Sequence, residues 1–143
     1  MKSFSTETEI NAPPDVVWSV LTDGSKYTEW DPGMISLDGT IAHSEPLTIY
    51  AKISPDRAFK VKVSTFEPNR KMVWSSGMPL GLFKGERTFT LKPNGSGGTH
   101  FSMTEAFSGP MLVLIGGTIP DLKPTFDDFA AALKQRAEAA VTA

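Results

Sequence analysis

Leu122-Lys123-Pro124-Thr125-Phe126-Asp127-Asp128-Phe129-Ala130-Ala131-Ala132-Leu133-Lys134-Gln135-Arg136-Ala137-Glu138 carries the period that decides the fold. Leu122, Phe126, Phe129, Leu133 and Ala137, continued by Val141, recur at spacings of three and four, which predicts one long C-terminal helix with a broad apolar stripe. Asp127, Asp128, Lys134, Gln135 and Glu138 fall off that stripe. Acidic residues come early (Asp121, Asp127, Asp128) and basic ones late (Lys134, Arg136), the order a helix macrodipole favours. Just before it, Met111, Leu112, Leu114 and Ile115 predict a short helical piece, cut off by Gly116-Gly117 and Pro120. An aromatic stripe of this width needs an apolar surface to lie on.

The chain before Gly109 supplies one. Phe4, Thr6, Thr8 and Ile10 alternate with Ser3, Ser5, Glu7 and Glu9, the period of a half-buried strand. Asn11-Ala12-Pro13-Pro14-Asp15 then opens a short helix carrying Val16, Val17, Val20 and Leu21, and a second helical turn is expected over Ser25 to Trp30. Asp31-Pro32-Gly33 reads as a tight turn. Six more strands are predicted at Met34 to Ile41, Leu47 to Ile53, Arg57 to Phe66, Met72 to Ser75, Leu82 to Lys92 and Thr99 to Phe107. Turn residues fill each short gap, as in Ser54-Pro55-Asp56, so the neighbours run antiparallel and a parallel βαβ sheet is excluded. Seven strands and one aromatic helix cannot pack flat without exposing the stripe. The sheet must curl around the helix.

Composition removes whole classes of function. The chain has 143 residues, 40% hydrophobic and 21% charged, so one soluble domain over residues 1–143 is expected. Such a chain buries about 68–70% of its unfolded surface and needs no staple. With no cysteine there is no disulfide, thiol nucleophile or thiolate metal site. Fourteen Lys and Arg against sixteen Asp and Glu give a net charge of −2 with no basic run, which argues against a nucleic-acid partner. The polar N-terminus lacks the apolar core of a signal peptide and reads as cytoplasmic sequence. The longest nearly uncharged stretch, residues 107–120, is broken by Gly109, Pro110, Gly116 and Gly117 and falls short of the ~18 apolar residues of a membrane span.

Several motifs then match in order. Ile10-Asn11-Ala12-Pro13-Pro14-Asp15-Val16-Val17-Trp18-Ser19-Val20-Leu21-Thr22-Asp23 with Tyr27-Thr28-Glu29-Trp30-Asp31-Pro32 resembles the opening of the START-like, or SRPBCC, helix-grip superfamily. Glu67-Pro68-Asn69-Arg70, Val73-Trp74, Gly85-Glu86-Arg87-Thr88-Phe89-Thr90-Leu91, Gly97-Gly98-Thr99, Glu105-Ala106-Phe107-Ser108-Gly109 and the ending Phe129 to Glu138 are similar to its polyketide cyclase/dehydrase-like branch. The resemblance covers nearly the whole chain. It implies an α+β helix-grip fold: a seven-stranded curved antiparallel sheet around a long C-terminal helix, with two short helices after strand one. It also implies a deep, mostly apolar cavity between sheet and helix. Function varies widely across that superfamily, from lipid carriers to aromatic cyclases.

One polar pair stands out against that apolar background. Arg87 shares a strand face with Phe83, Phe89 and Leu91, and Glu105 shares one with Thr99, Phe101, Met103 and Phe107. A hairpin centred near Ser96 makes Arg87 and Glu105 opposite or diagonal neighbours, close enough for a charge-assisted hydrogen bond. They form either a polar anchor or acid/base pair for a bound molecule, or an ion pair stapling two strands at a cavity rim. Trp30, Trp74, Phe83, Phe126 and Phe129 are candidate cavity walls, although ordinary core explains most of them as well. Met103, Met111 and Ile115 join them as lining candidates, with core filling the stronger reading for methionine. His43 and His100 show no ligand-like spacing, so no metal and no cofactor are expected. Gly95 to Gly98 reads as a hairpin turn, not a phosphate cradle. Gly77 to Phe83 and Gly109 to Thr118 combine apolar residues with backbone freedom at the implied cavity entrance, either a mobile gate or a rigid loop.

The first expectation is therefore binding of a hydrophobic small molecule, lipid-like or aromatic. The second is a cyclase-, dehydratase- or hydrolase-type enzyme in which Arg87 polarises a carbonyl and Glu105 exchanges protons. The third is an adaptor with a solid core and an exposed apolar patch. Association into a homodimer stays open.

Overall fold

A computed structural model describes residues 2–142, apart from the side chains of Thr118 and Thr142. Seven antiparallel strands, β1 (Lys2–Ile10), β2 (Met34–Asp38), β3 (Pro46–Ala51), β4 (Ser54–Glu67), β5 (Lys71–Gly77), β6 (Lys84–Pro93) and β7 (Thr99–Ser108), form one sheet in the order β1-β7-β6-β5-β4-β3-β2. From β2 to β7 each strand pairs with the next, while β1 pairs with β7, so β1 and β2 form the two edges of the sheet. Helix α1 (Pro14–Thr22), a 3₁₀ turn (Gly24–Lys26) and α2 (Tyr27–Trp30) follow β1; a short α3 (Leu112–Ile115) and a 3₁₀ turn precede the long α4 (Lys123–Thr142). This is the helix-grip α+β fold, its sheet curled around α4.

Strand β4 starts three residues before the predicted Arg57, taking in Ser54-Pro55-Asp56. Ala51 pairs with Ser54, so Lys52 and Ile53 alone make the turn. Proline is tolerated there because β5 pairs with β4 only from Lys62 onward, leaving the other edge of that segment without a ladder to interrupt. Strand β2 stops at Asp38, short of the predicted Ile41, where Gly39 takes a φ of +116° and a Cβ would meet the Pro46 carbonyl at 2.5 Å.

The charge order along α4 misses the terminal turns, where a helix dipole acts: the first turn holds no acidic residue and the last no basic one. Asp121 instead caps from outside, its Oδ1 accepting the Lys123 amide at 3.0 Å. The α4 charges tether the helix. Lys134 donates to Glu138 and to the Glu9 carbonyl, both at 2.7 Å, and Arg136 reaches Glu29 at 2.9 Å. The stripe itself lies on the sheet: Phe126, Phe129, Leu133 and Ala137 are buried with Ile10, Phe89, Leu91, Phe101 and Met103. Trp18, Val17 and Leu21 of α1 complete that core.

Candidate functional site

The strand register places a row of side chains across the inner face of the sheet: Phe4, Glu105, Arg87, Trp74 and Val63 stand opposite one another on β1, β7, β6, β5 and β4. Arg87 and Glu105 are direct partners, and Arg87 Nε donates to Glu105 Oε1 at 3.1 Å. Their side chains are 27% and 16% exposed, so the pair is neither solvated nor sealed. Phe126 of α4 caps it, with the guanidinium carbon 4.9 Å from the ring centroid. One row deeper, Met103, Phe89 and Met72 are fully buried. One row outward come Phe107, Gly85 and Ser76.

Aromatic rings surround the pair. Trp74 packs on Phe89 at 4.8 Å, Tyr27 on Trp30 at 4.8 Å, and Trp30 on Phe129 at 5.2 Å. Phe83 stacks on Phe107 at 5.8 Å. Trp74, Met103, Phe126 and Phe129 are buried; Trp30, Phe83, Arg87, Glu105, Met111 and Ile115 are half-buried. The rings meet one another. The volume implied for a deep chamber is thus largely occupied by aromatic side chains, and a surface depression of about 330 Å³ is lined by Pro32, Gly33, Lys52, Ile53, Thr125 and Asp128. None of the ten predicted lining residues borders that depression, but Trp30, Phe126 and Phe129 each lie within two residues of one that does. A second, more polar hollow of about 580 Å³ includes Ser5, Thr104 and Lys123.

Two polar residues join the site without having been singled out in sequence. Tyr27 is fully buried and its hydroxyl donates to the Leu21 carbonyl. Burial raises its phenol pKa well above the ordinary value, Asp31 adds to the rise, and Arg87 opposes it. Asp31 accepts the Gly33 amide at 3.0 Å. Burial pushes its carboxyl up, partly offset by the Gly33 hydrogen bond, Arg87 and Lys52. Their sequence signals were placement in the Tyr27 to Pro32 motif and, for Asp31, the Asp31-Pro32-Gly33 turn. Trp74 adds a third feature: its Nε1 is buried and meets no acceptor among the described residues.

The two apolar segments, residues 77–83 and 109–118, are tied together. The Met111 amide donates to the Leu82 carbonyl at 2.9 Å, and Gly109, at φ +105°, lies where a Cβ would meet the carbonyls of Leu82 and Gly81 at 2.6 and 2.8 Å. Leu80, Val113 and Leu114 project outward, 98%, 90% and 72% exposed. His100 lies on the outer face, with Nδ1 2.5 Å from Glu9 and Nε2 3.5 Å from Glu7, an arrangement the spacing alone did not suggest. Among the described residues no cluster of His, Cys, Asp and Glu could hold a metal, and no helix is long and apolar enough to cross a membrane.

Fold and site together define a helix-grip protein with a charged pair set in an aromatic interior. Residues 1–138 match the family described as polyketide cyclase/dehydrase and lipid transport, and the chain belongs to that family. Solved structures agree on the fold. A protein from Mesorhizobium loti is 24% identical with a TM-score of 0.69, covering 94% of this chain and 95% of its own. A START superfamily protein from Mycobacterium smegmatis is 20% identical with a TM-score of 0.71, covering 96% and 98%. An aromatase/cyclase from Streptomyces is 12% identical with a TM-score of 0.73, covering 98% and 95%. At these identities the likeness carries the fold alone. No protein of curated function matches the chain in sequence.

Proposed function

We propose that this protein binds a hydrophobic small molecule, lipid-like or aromatic, between the inner face of the sheet and α4. One observation carries the reading: a half-buried Arg87–Glu105 pair stands among aromatic side chains, where a core built for stability alone gains little from it. A polar pair in an apolar lining is the usual means of orienting a ligand. Trp30, Trp74, Phe83, Met103, Phe126 and Phe129 are the proposed walls, and Met111 and Ile115 the lining nearest the gate formed by residues 77–83 and 109–118. Binding requires the rings that meet between the sheet and α4 to part. A ligand present at a hundred times its Kd adds about 2.7 kcal/mol to stability. A thermal-shift screen of fatty acids and polycyclic aromatics should therefore raise the melting temperature for at least one probe; uniform failure refutes the proposal.

A second reading is favoured by Asp31, whose carboxyl is pushed up by burial within the field of Arg87. Groups shifted in this way suit proton transfer. In that reading the protein is a cyclase-, dehydratase- or hydrolase-type enzyme in which Arg87 polarises a carbonyl and Glu105 exchanges protons. Equal turnover by wild type and Arg87→Ala on a substrate found by screening removes Arg87 from the reaction.

A further inference from the structure

We infer that Asn94-Gly95 is a self-modification site, remote from the binding region: the Gly95 amide nitrogen closes on the Asn94 carboxamide, ammonia departs, and water opens the cyclic imide to aspartate or isoaspartate, aided by the Ser96 and Gly98 amides and by Glu9. The turn joining β6 to β7 carries it, at the opposite end of that hairpin from Lys84 and Ser108.

The surroundings of the Asn94 carboxamide point to this chemistry. Its Oδ1 accepts two backbone amides, from Ser96 at 2.9 Å and from Gly98 at 3.1 Å. Its Nδ2 donates to Glu9 Oε2 on β1 at 3.3 Å. Gly98 leaves room for the group, since a Cβ there would stand 2.8 Å from Nδ2 and 2.6 Å from the Ile10 carbonyl. The nucleophile is free as well. The Gly95 amide donates to no described residue, and residues 94–96 are exposed to water. Gly95 holds φ +84° with nothing within 4 Å of where a Cβ would be, so no side chain obstructs ring closure.

Each step has a partner in place. Attack forms the bond from Gly95 N to Asn94 Cγ and drives negative charge onto Oδ1, the atom at which two N–H donors are already aimed. The Gly95 amide proton passes to solvent. The former carboxamide nitrogen takes a proton from water, and the positive charge it gains faces the Glu9 carboxylate. His100 Nδ1 steadies that carboxylate at 2.5 Å, and the His100 and Asn94 hydrogen bonds hold Glu9 below its ordinary pKa, hence ionised. The Cγ–Nδ2 bond breaks, ammonia leaves, and water added to either imide carbonyl gives the acid. The aspartate product turns an acceptor toward Glu9 where asparagine turned a donor, so the tie between hairpin and β1 becomes a repulsion.

The test incubates the full chain in mildly alkaline buffer, folded and separately unfolded in guanidinium, and follows all three asparagines by peptide mass mapping. Product should appear at Asn94 ahead of Asn11 and Asn69, and at least as fast in the folded chain as in the unfolded one. Glu9→Gln keeps an acceptor but loses the charge; it should slow the folded reaction about fivefold and leave the rate in guanidinium unchanged. Asn94→Asp, made directly, should melt about 2 °C below wild type, the scale of one exposed charge contact, and that deficit should vanish when Glu9→Gln is added. A folded chain slower than the unfolded one, product first at Asn11 or Asn69, or a folded Glu9→Gln as fast as wild type overturns the inference. Asn94→Asp melting at or above wild type overturns the repulsion drawn from it.

Discussion

Replacing Arg87 by Met tests through stability whether the Arg87–Glu105 pair is desolvated. A solvent-screened staple on the surface contributes about 0–1 kcal/mol. The observed pair is 27% and 16% exposed, linked by one 3.1 Å hydrogen bond and capped by Phe126. Breaking a fully buried pair costs about 3–5 kcal/mol because the partner charge is stranded. The residual exposure lets water reach Glu105 and lowers that figure, while loss of the Phe126 contact adds about 0.5–1 kcal/mol. Arg87→Met should therefore destabilise by about 2–3 kcal/mol, roughly 7–10 °C in melting temperature for a domain of this size. Arg87→Met with Glu105→Leu removes both charges and should recover most of the loss, since an apolar replacement of a buried pair is often neutral or better. Chemical denaturation of wild type, Arg87→Met, Glu105→Leu and the double variant closes the double-mutant cycle. A coupling below about 0.5 kcal/mol, or a double variant as weak as the two losses added, refutes the claim that the pair is desolvated.

Other consequences concern pH and the loops. His100 is held protonated above its ordinary 6.5 by the hydrogen bond to Glu9 and the nearby Glu7. Its contribution is present below the unfolded pKa and is lost as pH rises through the raised one, so the wild-type advantage over His100→Gln should be full below 6.5 and shrink as pH rises above it; an advantage constant on both sides of that value contradicts the shift. Asp31 runs the other way: its raised pKa means that the charged form is disfavoured by folding, so Asp31→Asn should stabilise the protein at neutral pH, and melting curves should show the gain vanish in acid. Gly109→Ala forces a Cβ to within 2.6 Å of the Leu82 carbonyl at φ +105° and should cost about 1–3 kcal/mol, and an unchanged melting temperature would show that the junction yields freely. If residues 77–83 and 109–118 form a gate, their amides should exchange with deuterium faster than those of β6 and β7; equal protection identifies a rigid loop.

The order of elements was legible because each has its own period: two for β1 and β7, between three and four for α4, with turn residues at every gap. The Arg87–Glu105 contact was legible for the same reason, since a hairpin centred on Ser96 leaves only one or two partners for Arg87. Beyond one hairpin the periods say nothing. Trp74 lies opposite Arg87 because β5 and β6 are joined through Pro79-Leu80-Gly81, a 3₁₀ turn in which Leu80 holds φ +62°, a conformation its side chain does not announce. Tyr27 opens α2 and Asp31 caps its C-terminus, and the direction of these four helical residues is set by packing against α4 and β2. Short helices have little intrinsic preference to read. How far the chamber is filled is a still more distant property: Trp30 against Phe129 and Trp74 against Phe89 bring together residues 99 and 15 positions apart. The alternation that placed these rings on the inner face is the same whether they line a space or fill it.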